Sequence, residues 1–317
     1  MISIIVPIYN EESNIDIFLN TLLSASKVWE EKFEVIFIDD GSTDNSFNLL
    51  CDLADKYPYI SIIRFSRNFG HQPAINAGLR QAKGDAVIIL DADLQDPPQL
   101  IVQFLNKWRS GAEIVYGIRT KRKEHWLKQL AYRIFYFLLR KVSEIDIPKG
   151  SGDFSLMDRK IVDIMIHEMP ERIRFVRGLR AFTGFKQVGI EYERDKRYSG
   201  KSKYTFPKLV KLAFDGLFDF TTYPLRIASY FGFIVSLFSF GLGVFFIFHR
   251  LLEFKVLGYS PADVPGMATI AVGLFFVGGI MLLLLGIIGE YMGRIYFEVK
   301  KRPNYIVRDF YPLKENL

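Results

Sequence analysis

Two stretches of this 317-residue chain contain no Asp, Glu, Lys or Arg, one between Arg226 and Arg250 and the other between Asp263 and Glu290. Within them Ile227 to Phe248 and Ala268 to Gly289 are almost wholly apolar. The ~30 Å hydrocarbon core of a bilayer needs about 20 helical residues, and both stretches reach that length. A helix that packs on a soluble core carries a polar face, and neither stretch offers one. The sequence therefore predicts two membrane spans within residues 227–292. A globular domain over 1–204, a juxtamembrane amphipathic helix over 205–226 and a tail over 293–317 complete the expected division.

Basic residues flank the outer ends of the spans: Lys208, Lys211 and Arg226 before the first, Arg294, Lys300, Lys301 and Arg302 after the second. The loop between them holds only Lys255, with Arg250 at its edge. The positive-inside bias then sets the globular domain and both termini on the cytoplasmic side. Gly289 and Gly293 have the small-xxx-small spacing of helix–helix contacts, which suggests a homo-oligomer. Two further stretches have amphipathic spacing, Trp126 to Lys141 and Phe206 to Leu217, the second of which suits the headgroup plane.

The net charge of +6 fits anionic lipid or a phosphorylated substrate, and no nucleic-acid motif accompanies it. The single cysteine, Cys51, forbids an internal disulfide and is expected to be a small buried apolar residue. Four scattered histidines give no zinc spacing, so any metal should be a hard ion with oxygen ligands. The N-terminus runs straight into a strand-like segment and lacks the basic start of a signal peptide.

In the globular part, strand-like runs alternate with helical ones. Strands are expected at 2–8, 34–38, 60–65, 86–90 and 113–116. Helices are expected from Ile15 to Val28, from the possible cap Asp44 to Lys56, from about Pro73 to Ala82, and after Pro97-Pro98. Such alternation implies a mainly parallel α/β sheet, with ligands bound beyond the strand C-termini. Three polar clusters fall there: Pro7-Ile8-Tyr9-Asn10-Glu11, Asp39-Asp40, and Asp91-Ala92-Asp93. No GxGxxG fingerprint and no Walker A sequence occurs.

Asp91 and Asp93 stand two apart at a strand end, so both carboxylates can point to one divalent cation, Mg2+ or Mn2+. Such a cation would neutralise a departing diphosphate. A carboxylate from Asp39 or Asp40 can meet a base or ribose, although a plain turn would also use them. Arg119, Arg197, Lys201 and Lys203 are candidate donors to an acceptor phosphate. His71 reads as a loop residue or a local hydrogen-bond partner, with a donor-site role as the alternative.

The three clusters, with Asp91 to Asp96 followed by Pro97-Pro98, resemble the signature set of family 2 inverting glycosyltransferases of the GT-A fold. Ser66 to Gln72, Ser151 to Arg159 and Arg197 to Tyr204 resemble its polyisoprenyl-phosphate branch. That branch includes dolichyl-phosphate mannose synthases and bactoprenol glucosyltransferases, and the two C-terminal spans look most like the latter. The resemblance implies a nucleotide-sugar site at Pro7, Tyr9, Glu11, Asp39, Asp40, Asp91 and Gln95. It implies metal at Asp91 and Asp93, with Asp93 and Asp153 catalytic. Asp153 would be a general base or an orienting group, because a phosphate monoester with a second pKa of about 6 is already largely ionised. The implied reaction moves one sugar, expected to be glucose from UDP-glucose, onto undecaprenyl phosphate at a bacterial inner membrane. GDP-mannose and a modified UDP-pentose are the alternative donors. The Gln-x-x-Arg-Trp motif of processive synthases is absent.

Overall fold

The computed structural model describes residues 1–119, 151–169, 176–193, 223–252 and 266–314. They fall into two units, one comprising 1–220 together with 302–317, the other 221–301.

The first unit is a three-layer α/β/α domain. Its strands are β1 (Ile2–Ile8), β2 (Phe33–Asp39), β3 (Ile60–Phe65), β4 (Ala86–Ile89), β5 (Ile114–Arg119), β6 (Ser151–Asp158), β7 (Gln187–Tyr192) and β8 (Val307–Tyr311). They form one sheet in the order β7-β5-β6-β4-β1-β2-β3-β8. Helices α1 (Ile15–Ser26), α2 (Ser46–Lys56), α3 (His71–Gln81), α4 (Ile101–Arg109), α5 (Arg159–His167) and α6 (Val176–Phe182) cover its faces. The period-2 alternation of β1 sorts the core. Ile2, Ile4, Val6 and Ile8 pack with Phe18, Leu22 and Phe104 on one side, while Ile5 packs with Ala74, Ile75, Leu79 and Met165 on the other. On that second side α3 lies so close that a Cβ on Gly78 would come within 2.4 Å of Ile5 Cγ2.

The expected parallel pairing holds for β1 with β2 and β4, and for β2 with β3. The sequence reading gave no strand to 151–158. The structure inserts β6 there, antiparallel to both β4 and β5, so that β5 does not adjoin β4. β5 itself begins at Ile114 and runs to Arg119, beyond its expected end at Tyr116. Nor is all of 293–317 a tail: β8 pairs antiparallel with β3. Cys51 is half-buried, and its thiol is hydrogen-bonded to Tyr311, the last residue of β8.

The second unit consists of α7 (Tyr223–Leu252) and α8 (Gly266–Lys300), which pack on each other. Within α8, Phe276–Lys300 is long and apolar enough to cross a membrane, and none of it is buried in the protein. The apolar run described in α7, Ile227–Leu242, is shorter. The amphipathic stretches 126–141 and 206–217, and Arg197, Lys201 and Lys203, lie outside the described residues.

Candidate active site

The C-terminal ends of the parallel strands form a rim, and polar side chains gather on it in two groups. The first is built around β1 and β2. Asn10 adopts a positive φ of 52°, a conformation Asn tolerates better than most residues. It faces the turn after β2, where its side-chain oxygen accepts the Thr43 N–H at 2.8 Å and its own N–H donates to Ser42 Oγ at 3.0 Å. The Glu11 N–H donates to Ser46 Oγ at 2.9 Å, and the Glu11 carboxylate accepts from Asn14 Nδ2 at 2.6 Å. Pro7 and Tyr9 are half-buried beside this lacing.

Asp39 and Asp40 point to different tasks. Asp39 is fully buried, takes the Ser42 N–H at 3.0 Å, and lies 3.4 Å from Arg64 Nε. Its carboxylate holds the turn, the plain role that the sequence left open. Asp40 reaches across to the loop after β3, accepting the Phe69 N–H at 2.6 Å and the Gly70 N–H at 2.9 Å. Burial pushes both carboxyls above their ordinary range, and these hydrogen bonds work against that rise. Gly41, at φ 68°, presses against the same loop, where a Cβ would fall 2.4 Å from the carbonyl carbon of Arg67.

The second group forms around β4 and β6. Pairing is antiparallel with Ile89 opposite Ser155, and carrying that register two residues further sets Asp153 opposite Asp91. His71, the first residue of α3, lies between them: its Nε2 is 3.7 Å from Asp91 Oδ1 and 3.4 Å from Asp153 Oδ2. Arg177, in the first turn of α6, grips Asp153 with two hydrogen bonds, Nε to Oδ1 at 2.8 Å and Nη2 to Oδ2 at 2.9 Å. Gln72 fixes α6 relative to α3 by accepting the Val176 N–H at 3.0 Å.

The charges follow from this geometry. Burial opposes a charged His71, yet Asp91 and Asp153 outweigh it and lift its pKa to about 9, so the ring is an imidazolium at neutral pH. Burial also opposes a charged Asp153, but Arg177 and His71 hold that carboxyl well below the usual range. Asp91 goes the other way, pushed up to about 6, first by burial and then by Asp96, Asp93 and Asp153, with His71 pulling it down. Burial is the main cause of that rise, and the acidic neighbours add to it. Behind Arg177, Arg180 is 1% exposed and its guanidinium lies over the Tyr116 ring. None of its three side-chain nitrogens has a hydrogen-bond partner, and burial lowers its pKa to about 10.

After Asp91 the chain turns sharply. Leu94 is held at φ 59°, a strained setting for this residue type. The Gln95 N–H donates to Asp93 Oδ1 at 3.1 Å, and Asp93 is 5% exposed. Asp96 anchors the turn: it pairs with Arg119 at 3.1 Å and accepts a short hydrogen bond from Tyr192. Arg119, expected at the acceptor phosphate, is thus a partner of Asp96 at the edge of this group. Among the described residues no three His, Cys, Asp or Glu side chains could hold a metal alone. Two carboxylates, Asp91 and Asp93, are the donor chemistry that a hard cation takes when other oxygens complete its shell.

Three contributors escaped the sequence reading: the bridging position of His71, and Arg177 and Arg180. A signal existed in Val176-Arg177-Gly178-Leu179-Arg180, where two arginines at helical spacing interrupt an apolar run.

The sequence model described as "Glycosyl transferase family 2" matches residues 3–164. An uncharacterized glycosyltransferase of Synechocystis sp. is 43% identical, over 99% of this chain and 96% of its own length. Another of Bacillus subtilis is 44% identical, over 98% and 94%. A bactoprenol glucosyl transferase of Shigella phage SfII is 40% identical, over 97% of both chains.

Proposed function

The chain belongs to glycosyl transferase family 2 and is a glycosyltransferase, and from that premise we propose that it moves one sugar from a nucleoside diphosphate onto a polyisoprenyl phosphate. The preferred pair is UDP-glucose and undecaprenyl phosphate. The observation that carries this reading is His71, whose Nε2 lies 3.7 Å from Asp91 and 3.4 Å from Asp153, with Arg177 gripping Asp153 from α6. The full-length likeness to a bactoprenol glucosyl transferase supports the lipid acceptor.

In this reading Tyr9, Glu11 and Asp40 line the nucleotide side of the rim, with Asp39 supporting the turn beneath. Asp91 and Asp93 hold a divalent cation, Mg2+ or Mn2+, which when bound neutralises charge on the leaving diphosphate. A lipid phosphate oxygen attacks the anomeric carbon, the bond to the diphosphate breaks, and the centre inverts. The nucleophile is already ionised, so no strong base is required. Asp153 suits an orienting and electrostatic role, because Arg177 occupies both its oxygens. Arg197, Lys201 and Lys203 serve the acceptor phosphate, while Arg119 holds Asp96 at the edge of the site. Helices α7 and α8 cross the bacterial inner membrane, with the catalytic unit and both termini cytoplasmic.

The test is a panel of labelled nucleotide sugars incubated with the full-length protein, polyprenyl phosphate and Mg2+ or Mn2+. Label from UDP-glucose should pass into the lipid fraction and disappear with chelator. Label from GDP-mannose or a UDP-pentose instead would overturn the donor assignment, and no lipid label from any donor would overturn the acceptor.

A further inference from the structure

β8 is an unusual strand to find in this sheet. Val307, Phe310 and Tyr311 are 45%, 45% and 41% exposed, and no residue of the strand is buried. It therefore adds little to the apolar core. Its contacts go instead to the elements that shape the Asp39–Asp40 half of the rim.

Two routes lead there. The first is aromatic. Tyr305, just before β8, stacks on Phe65 with ring centroids 4.8 Å apart and 13° between planes. Phe65 meets Phe69 edge-on at 5.8 Å, and the Phe69 N–H is the donor at 2.6 Å to Asp40. The Ile306 carbonyl accepts the Ser66 N–H at 2.9 Å, tying down the first residue of the same loop. Gly41 packs closely on Arg67 from the other side, where a Cβ would fall 2.4 Å from its carbonyl carbon, so this loop and the Asp40 turn are in direct contact. The second route is ionic. Arg64 of β3 is shared between Asp39, at 3.4 Å, and Asp309 of β8, at 3.6 Å. Its guanidinium also lies 3.9 Å over the Phe47 ring, which Tyr311 of β8 contacts edge-on at 5.9 Å.

We propose that Tyr305 and Asp309 are positioning residues of the donor site, setting Asp40 through the Phe65 and Phe69 rings and Asp39 through Arg64. Neither touches the nucleotide. Their effect appears as donor affinity, separate from the chemical step and from the lipid acceptor. The inference rests on the assignment of the nucleotide to the Asp40 side of the rim.

The experiment uses the full-length protein and measures UDP binding by calorimetry, together with kcat and KM for donor and acceptor. Wild type must bind UDP and transfer sugar; failure there would defeat the functional assignment itself. Tyr305→Ala should raise the donor KM and the UDP Kd about tenfold, the scale of a lost aromatic pair. Its kcat and acceptor KM should stay within about twofold, and Tyr305→Phe should restore wild-type values because it keeps the ring. Asp309→Asn, on an exposed side chain that folding does not depend on, should raise the donor KM about threefold, the scale of an exposed ion pair. Unchanged donor KM and UDP Kd in Tyr305→Ala or in Asp309→Asn would overturn the proposal. So would equal losses for donor and acceptor accompanied by a lower Tm, which would mark β8 as a cover for the sheet edge alone.

Discussion

The two halves of the strand-end rim hold their carboxylates by different means. On the β2 side, Asp39 and Asp40 are held mainly by backbone N–H groups of Ser42, Phe69 and Gly70, with Arg64 adding one cation 3.4 Å from Asp39. On the β4 side, Asp153 and Asp91 face the side-chain cations of His71 and Arg177. Backbone amides fix a carboxylate without adding a mobile charge, which suits a surface that must fit one nucleotide. Side-chain cations create a field that charged reactants can redistribute, which suits the place where the proposed reaction would release a diphosphate and admit a phosphate. The first half is expected to control binding and the second half the chemical step.

Six substitutions at five positions bear on that contrast. The largest effect belongs to Asp91→Asn and Asp93→Asn, each expected to cut kcat by about 10³-fold or more through loss of the cation. Retained label transfer in either would break the comparison at its strongest point. With chelator present, Asp91→Asn should also stabilise the fold. Burial and like charges raise the Asp91 pKa to about 6, so its ionised form costs stability that is lost progressively as pH rises from about 4 to about 6. The gain in Tm of the Asn variant should be present at pH 7.5 and absent at pH 3.5.

Arg177→Met comes next. It leaves the buried Asp153 without its two-pronged partner, and a loss of about 10²-fold in kcat is expected from misplacement of the group. Stability should fall by about 2–4 kcal/mol in urea, below the range for a fully buried pair because Arg177 is partly exposed. Arg177→Lys should recover little, since one ammonium cannot make the two-pronged contact. Gly41→Ala should cost about 2 kcal/mol or more, because φ is 68° and the new Cβ meets backbone that cannot swing away. Its donor KM should rise while kcat holds. Asp40→Asn is the mildest: its amide turns a donor toward an N–H, which costs about 1–2 kcal/mol and shows in donor KM alone. A kcat defect in either of these last two variants would erase the division between the halves.

The same contrast explains what could be read from the sequence. The β2 half is local: Asp39, Asp40, Gly41 and Ser42 adjoin one another, and the apolar run before them marks the strand that carries them. The β4 half draws on positions 71, 91, 153 and 177, which only the fold brings together. Asp91 and Asp153 were legible as candidates, but their opposition depends on β6 running antiparallel. Ser151 to Asp158 has too many small and polar residues to announce a strand that the structure buries almost throughout. His71 follows Gly70, a turn residue at φ 107°, and so looked like loop. β8 was hidden for a further reason. Val307-Arg308-Asp309-Phe310-Tyr311 is exposed along most of its length, leaving no apolar pattern to read.

The position of β8 in the chain also sets an order of events. Domains fold as they are synthesised, at about 5–20 residues per second. β1 to β7 can pair while the ribosome is still making α7 and α8. The outer edge of β3, with Ser66 and Arg64 beside it, stays open through that interval, because its partner is encoded after both apolar helices. The sheet closes only when the last segment returns to a strand made far earlier, the kind of long-range pairing that forms slowly. Completion of the catalytic unit thus comes after synthesis of α7 and α8.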